Sequence, residues 1–112
     1  SVADVANRRA WELLGMDLSE VAGSEFSALN TRYRGGMRVV NVRTGGPAAS
    51  QGIRTGDILV GMHEWETASE EDIRYITTRG NLASRGPVKF YILRDGETLF
   101  GHIALREGAQ RR

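Results

Sequence analysis

The chain has 112 residues, of which 40% are hydrophobic and 26% charged, and 15 basic against 14 acidic side chains give a net charge of +1. This length and composition indicate one globular domain, and the charge balance excludes the basic surface typical of nucleic-acid or anionic-membrane binding. The sequence has no cysteine, which excludes thiol catalysis, disulfides and cysteine-zinc sites. It shows no membrane-spanning run and no signal peptide, and because it opens without Met we expect a domain of a longer protein.

The first part of the sequence predicts a helix, a strand, a second helix and a second strand. Loosely helical spacing of apolar residues predicts a short helix or turn over residues 3–14. Apolar–polar alternation predicts a half-buried strand at 16–20, and apolar residues at helical spacing predict a helix at 25–33. The valine-rich segment 37–42 favours an extended strand.

The middle of the chain, residues 47–62, predicts a short helical turn followed by a buried strand. Pro47 suits the first position of the helical turn, and Gly52 can end it in a left-handed conformation. Gly56-Asp57 predicts a second tight turn, and residues 58–62 then form an apolar strand.

The last part predicts a capped helix and a hairpin. Ser69 with Asp72, or equally Thr67 with Glu70, can cap the start of a helix that reaches residue 79. The pair Asp95-Gly96 between two β-rich runs, 87–93 and 97–105, is a strong hairpin signal.

These elements predict the fold class. We expect an α+β, mostly β domain, built as a small, partly closed antiparallel β-barrel or sandwich with two helices that cover its openings. Gly80 and Asn81 are expected to end the second of these helices. Residues 1–10 are interpreted as an N-terminal extension, 11–106 as the domain and 107–112 as a frayed tail.

Two segments resemble the signature of PDZ domains. The stretch 47–62 is similar to the central pattern A-x-x-A-G-I-x-x-G-D-x-I, with Ser50-Gln51 in place of part of the small-residue run. Leu14-Gly15-Met16 resembles the family's carboxylate-binding loop, and Leu13 stands where a glycine or an apolar residue is often found. The resemblance implies a module that binds C-terminal or extended peptide segments.

The strand order resembles the permuted PDZ domains of bacterial HtrA/Deg-like trypsin-fold serine proteases. An extra last strand, 97–105, replaces the strand that elsewhere precedes the binding loop, and the inserted helix 25–33 is similar too. This resemblance implies the protease domain of a parent chain as a partner, a role in protein quality control and a periplasmic or envelope location. Residues 62–66 depart from the usual Asn-Gly turn, so the turn type and the role of Trp65, local packing or a contact to a partner domain, stay open.

The resemblance implies a peptide groove between the strand 16–20 and the helix 69–79. Amides near Gly15 would bind a terminal carboxylate, with Arg8 or Arg9 adding charge, and the peptide would add to the free strand edge. Met16 and apolar side chains of the helix would line a pocket for an apolar last residue. The candidate peptide-binding residues are Leu13, Leu14, Gly15, Met16, Asp17, Leu18, Ile73, Ile76 and Thr77.

Other interpretations of the same residues remain open. The apolar residues could be plain core, with Gly15 a simple turn. Residues 3–12 could fold over the loop, which would make the chain a structural interaction domain with a self-occluded groove. The module could also belong to a processing protease or a secretion component.

Enzyme chemistry has little support in the sequence. His63 and His102 are isolated, no G-x-S-x-G motif occurs, and the glycine-rich stretches lack the Lys-Ser/Thr of a phosphate loop. We expect no catalytic residue, no metal site and no cofactor in this chain, with catalysis carried by the parent protein.

Overall fold

The structure is a computed structural model that describes residues 1–78 and 82–105. Its scaffold is a six-stranded antiparallel sheet in the order β1-β2-β3-β5-β6, with the short β4 paired to β3. The strands are β1 (Met16–Glu20), β2 (Met37–Val42), β3 (Ile58–Met62), β4 (Trp65–Glu66), β5 (Val88–Arg94) and β6 (Glu97–Ile103). The helices are α1 (Val2–Arg9), α2 (Gly23–Ser27), α3 (Pro47–Ser50) and α4 (Glu70–Thr78), with a π-helical turn at Ala10–Leu14 and a 3₁₀ turn at Ala83–Arg85.

The α+β class is confirmed, but the sheet is not closed into a barrel. β1 and β6 lie at opposite ends of the strand order and each pairs with one neighbour within the described residues. The partly closed barrel is therefore corrected to an open sheet with helices packed on it. The physical reason is the pairing itself: in the part of the chain that the structure describes, β1 forms a ladder with β2 alone and β6 with β5 alone.

The predicted hairpin at Asp95-Gly96 is present. Both residues are left-handed, with φ of 52° for Asp95 and 80° for Gly96, as a two-residue type I′ turn requires. The turn sets the register of β5 on β6, in which Arg94 faces Glu97.

The helix predicted at 25–33 is wrong in length, because α2 covers only Gly23–Ser27. The amides of Leu29 and Asn30 bond to the carbonyls of Phe26 and Ser27, so the chain tightens into a turn, and Asn30 is left-handed with φ 54°. Phe26 is buried while Leu29 is exposed, so the apolar spacing that predicted the helix is not one buried face.

The turn region that precedes β3 is held by a buried carboxylate. Asp57 is 2% exposed, and its carboxylate accepts hydrogen bonds from Arg94 Nε and Nη2, each at 2.8 Å, and from the Arg54 amide at 2.8 Å. The hydrogen bonds to Asp57 raise the pKa of the Arg94 guanidinium. Gly52 ends α3 with φ 79°, as predicted, and its carbonyl accepts a further bond from Arg94 at 2.9 Å.

The sheet separates two apolar clusters. The larger one joins the π-helical turn, α4 and the strands, and it includes the side chains of Leu14, Leu59 and Ile76. The smaller one is formed by Val21, Phe26, Ile58, Val60 and Leu93. All five residues of β3 are buried, so this strand is the centre of the fold.

The turn between β3 and β4 has its own geometry. His63 is left-handed with φ 58°, and Met62 faces Trp65 across the hairpin. The half-buried Trp65 ring makes edge contacts with His63, at 5.2 Å between centroids, and with Tyr75 of α4, at 5.9 Å. Trp65 thus packs locally in this structure.

Some predictions lie outside the described residues. These are the helix end at Gly80 and Asn81, the last residue of the predicted domain at 106 and the tail 107–112. Within residues 1–78 and 82–105, no helix has the length and apolar character needed to cross a bilayer.

Candidate functional site

The predicted groove is built on an edge strand. Among the described residues, β1 pairs only with β2, from Met16 opposite Val42 to Glu20 opposite Met37. A bulge between Asp17 and Leu18 interrupts this ladder. The other side of β1 carries no strand partner, which is the geometry that strand addition needs.

The helix α4 forms the second wall, and its first turn is linked to the end of β1. The Glu70 amide donates to the Glu20 carboxylate at 2.9 Å. Ser69 caps the helix, since its hydroxyl accepts from the Asp72 amide at 3.2 Å, and the Asp72 carboxylate accepts from the Ser69 amide at 3.2 Å. Of the two predicted cap pairs, the structure uses Ser69 with Asp72, while the buried Thr67 hydroxyl donates to the Leu59 carbonyl at 2.7 Å.

The predicted pocket residues come together in one place, but their side chains are buried. Met16, Leu18, Ile73 and Ile76 all belong to the larger apolar cluster. The exposed fractions are 2% for Leu13, 0% for Leu14 and Met16, 5% for Leu18, and 1% for Ile73, Ile76 and Thr77. Asp17 is half-buried and points away from this set, as the alternation of the strand requires.

Gly15 lies at the centre of the predicted carboxylate-binding loop. Its φ is 78°, and a Cβ built there would lie 2.9 Å from Pro47 Cδ, so the turn requires glycine for its backbone angle and for close approach. Its amide donates to the Ala10 carbonyl at 2.9 Å, closing the π-helical turn, and its carbonyl accepts from the Arg43 amide at 2.8 Å. In this conformation the Gly15 amide is therefore engaged within the chain.

The N-terminal helix packs along α4. Ala6 and Ala10 are 2% and 0% exposed and join the same cluster as Ile73 and Ile76. The Arg9 guanidinium donates from Nε and Nη2 to the Thr77 carbonyl, at 3.2 and 2.9 Å. Residues 1–10, predicted as an extension, thus contribute to the core beside the predicted pocket.

A second arginine holds the π-helical turn from the other side. Arg43, just after β2, donates from Nε to the Trp11 carbonyl at 3.3 Å and from Nη2 to the Glu12 carbonyl at 3.4 Å. Its guanidinium also lies 6.0 Å from the centre of the Trp11 ring. These bonds satisfy carbonyls at the end of the helical segment, which have no partner further along a helix.

Sequence reasoning missed Ala6, Ala10, Glu20 and Arg43 as parts of this region. The spacing of Ala6 and Ala10, one helical turn apart, is a signal for close helix packing that the sequence offers. Arg9 was considered as a charge near the carboxylate, and here it bonds to a carbonyl of α4, while Arg8 is exposed.

No protein-family model matches the chain. Two curated relatives, both named serine protease Do-like HtrA, come from Lactococcus lactis subsp. cremoris (strain MG1363) and Lactococcus lactis subsp. lactis (strain IL1403). They are 27% and 29% identical to this chain over 101 residues, which cover 88% of the chain and 24% of each relative. The chain therefore spans about a quarter of the length of these curated relatives.

Solved structures show the same fold. A variant of the HtrA-type protease AlgW with decapeptide has a TM-score of 0.67 at 18% identity, over 94% of this chain and 34% of that one. The HtrA3 PDZ domain bound to a phage-derived ligand has a TM-score of 0.62 at 18% identity, over 82% of both chains. The chain has the fold of an HtrA-type PDZ domain, as its sequence motifs predicted.

Proposed function

We propose that this chain is a peptide-binding PDZ module that captures C-terminal or extended peptide segments by adding them as a strand to β1. The observation that carries the proposal is the unpaired side of β1 next to α4 within the described residues. An added strand gains main-chain hydrogen bonds whatever its sequence, and side-chain pockets supply the preference.

Similar proteins support this proposal. The AlgW structures contain a decapeptide, and the HtrA3 PDZ domain is bound to the phage-derived ligand FGRWV, which ends in an apolar residue. In this chain the apolar side chains Met16, Leu18 and Ile73 lie beside the same strand edge and helix. A groove with these walls would accept an apolar last residue.

The parent protein belongs to the same proposal. Because the relatives that match over 88% of this chain are named serine protease Do-like HtrA, we place the module as the regulatory or substrate-recognition domain of an HtrA-like serine endopeptidase. Its protease domain would be the intramolecular partner, and the catalytic residues would lie there. With this parent we also propose a periplasmic or envelope location and a role in protein quality control.

Peptide titration tests the function. A panel of fluorescein-labelled, apolar-ended peptides that includes Phe-Gly-Arg-Trp-Val is added to the chain, each peptide with a free and with an amidated C-terminus. We expect dissociation constants near micromolar, about −8 kcal/mol, for the free acids. Amidation should weaken binding at least about tenfold, since the carboxylate loses its hydrogen bonds to loop amides. Equal binding of both forms, or of neither, would remove carboxylate capture.

A variant of the edge strand provides a second test of the proposed function. The Val21 amide donates to the Gly36 carbonyl on the β2 side, so the amide of the preceding, exposed Glu20 faces the unpaired edge of β1. Glu20→Pro removes that donor, and Glu20→Ala is the matched control, because both variants lose the carboxylate that bonds to the Glu70 amide. If the peptide adds to β1, the proline variant should bind less tightly than the alanine variant. Unchanged binding by a folded Glu20→Pro chain would place the ligand elsewhere.

A structural interaction domain with a self-occluded groove is the second candidate. It is favoured by the burial of Leu14, Met16 and Ile76 and by the Gly15 amide that already has an acceptor. In that case no peptide of the panel would bind to the chain or to any of its variants.

A further inference from the structure

We infer that α1 and Ala10 at the start of the π-helical turn, residues 2–10 and here called the N-terminal latch, compete with peptide for the groove. The latch is docked in this structure and is released when a peptide binds. This inference rests on the proposed function and adds to it a regulation of the same site by the chain's own N-terminal segment.

The first argument is burial. A ligand must contact the side chains that would recognise it, yet Met16, Ile73 and Ile76 are at most 1% exposed. The buried Ala6 and Ala10 of the latch belong to the same cluster as these side chains. Because α1 packs along α4, removing the latch would uncover the α4 wall of the groove.

The second argument is the hydrogen bonding of the loop. A peptide carboxylate needs free amides near Gly15, and the Gly15 amide is bonded to the Ala10 carbonyl at 2.9 Å. This bond joins Ala10, the last residue of the latch, to Gly15 and closes the π-helical turn between them. The turn must therefore open before Gly15 can donate to a ligand, so unwinding of the latch and carboxylate binding are coupled.

The third argument is that the latch is held weakly enough to release. The fully buried side chains of the latch, Ala6 and Ala10, are alanines, which expose little apolar surface when they are released. Arg9 binds the Thr77 carbonyl and Arg43 binds the Trp11 and Glu12 carbonyls, all part-buried or exposed bonds at the surface of the domain. An eight-residue helix is also unstable once detached, which favours unwinding over an alternative docked form.

Such competition lowers the apparent affinity for peptide by the fraction of molecules in which the latch is open. If about one molecule in ten has an open latch, the apparent dissociation constant is about tenfold higher than that of the open form. Variants that undock the latch should therefore bind peptide more tightly than the unmodified chain, by up to this factor.

Two substitutions with matched controls test the inference. Arg9→Ala removes the bonds to the Thr77 carbonyl, and Arg54→Ala removes the same charge from an exposed side chain elsewhere. Ala6→Glu places a carboxylate at a buried position of α1, and Asn7→Glu adds the same charge at the exposed neighbouring position. We expect about 3- to 10-fold tighter binding of the free-acid peptides for Arg9→Ala and Ala6→Glu, and no change for the controls.

The two variants also separate this inference from a direct role of Arg9. If Arg9 bound the carboxylate itself, Arg9→Ala would weaken binding, and that result would overturn the latch. Circular dichroism checks that each variant is folded. Should Ala6→Glu fail to fold, Arg9→Ala still decides the question, because it removes surface bonds and leaves the apolar core intact.

Amide hydrogen exchange with saturating peptide gives a further test. If α1 had only a structural role, peptide binding would not speed up the exchange of its amides. We expect exchange in residues 6–10 to become faster when peptide is bound, while exchange in β1 becomes slower. Unchanged or slower exchange in α1, with affinities equal across all variants, would overturn the latch and leave the proposed function standing. Absence of binding by every variant would overturn the proposed function itself.

Discussion

At the scale of single residues, Gly15 connects the two states proposed for the site. Its left-handed backbone and its proximity to Pro47 fix the path of the chain from the latch into β1. Its amide is the donor that the latch uses and that a carboxylate would need. The sequence identified this glycine through its resemblance to a binding loop, but the acceptor of its amide depends on the helical turn before it, which no local pattern specified.

Substitution of Gly15 tests how tightly this turn is defined. Gly15→Ala should lower the free energy of unfolding by about 1–3 kcal/mol more than Gly52→Ala, because added volume in a packed site costs that much. Gly52 is the matched control. Its φ of 79° is almost the same as the 78° of Gly15, so alanine causes the same backbone strain at both positions, but a Cβ added at Gly52 would have no neighbour within 4 Å. Urea denaturation of both variants gives the difference. Equal losses would mean that Pro47 moves aside freely.

At the scale of elements, the strands were predictable and the helix ends were not. β2 and β3 follow runs of β-branched and apolar residues, and their bounds agree with the prediction. The apolar spacing at 25–33 predicted a long helix, but α2 ends at Ser27, where Leu29 stays exposed and Asn30 turns left-handed. The length of a helix thus depends on whether its apolar face packs against the rest of the fold. The sequence of the segment alone does not show this.

The start of α4 shows the same limit, and it can be tested. The sequence offered two cap pairs, and Ser69 is used because Thr67 is buried and bonded to the Leu59 carbonyl. Ser69→Ala should lower the free energy of unfolding by about 1 kcal/mol, the usual loss for a helix cap. Ser24→Ala, in the first turn of a helix without a side-chain cap, should change it little. Thermal or urea unfolding measures both, and a negligible loss for Ser69→Ala would assign the cap to the Asp72 carboxylate alone.

At the scale of the whole molecule, the sequence located the walls of the site but not what fills it. The strand edge at β1 and the face of α4 with Ile73 and Ile76 follow from local periodicity. The docking of α1 on α4 does not, because it joins residues far apart in the chain through small side chains and the contact of Arg9 with the Thr77 carbonyl. This docking is what favours the alternative of a self-occluded groove. If the latch can open, the occluded groove is one of two states of a peptide-binding module.

The whole-molecule consequence is an uneven distribution of stability. β3 has all five residues buried, whereas α1 fully buries only Ala6. Native-state hydrogen exchange of the free chain at low denaturant should give a smaller opening free energy for α1 than for β3. The opening free energy of α1 should also depend little on denaturant concentration, as expected for local opening. Arg9→Ala should lower the value for α1 and leave that of β3 unchanged apart from any loss in global stability. If α1 and β3 instead share one opening free energy and one denaturant slope, the latch opens only when the whole domain unfolds, and peptide could not displace it from a folded domain.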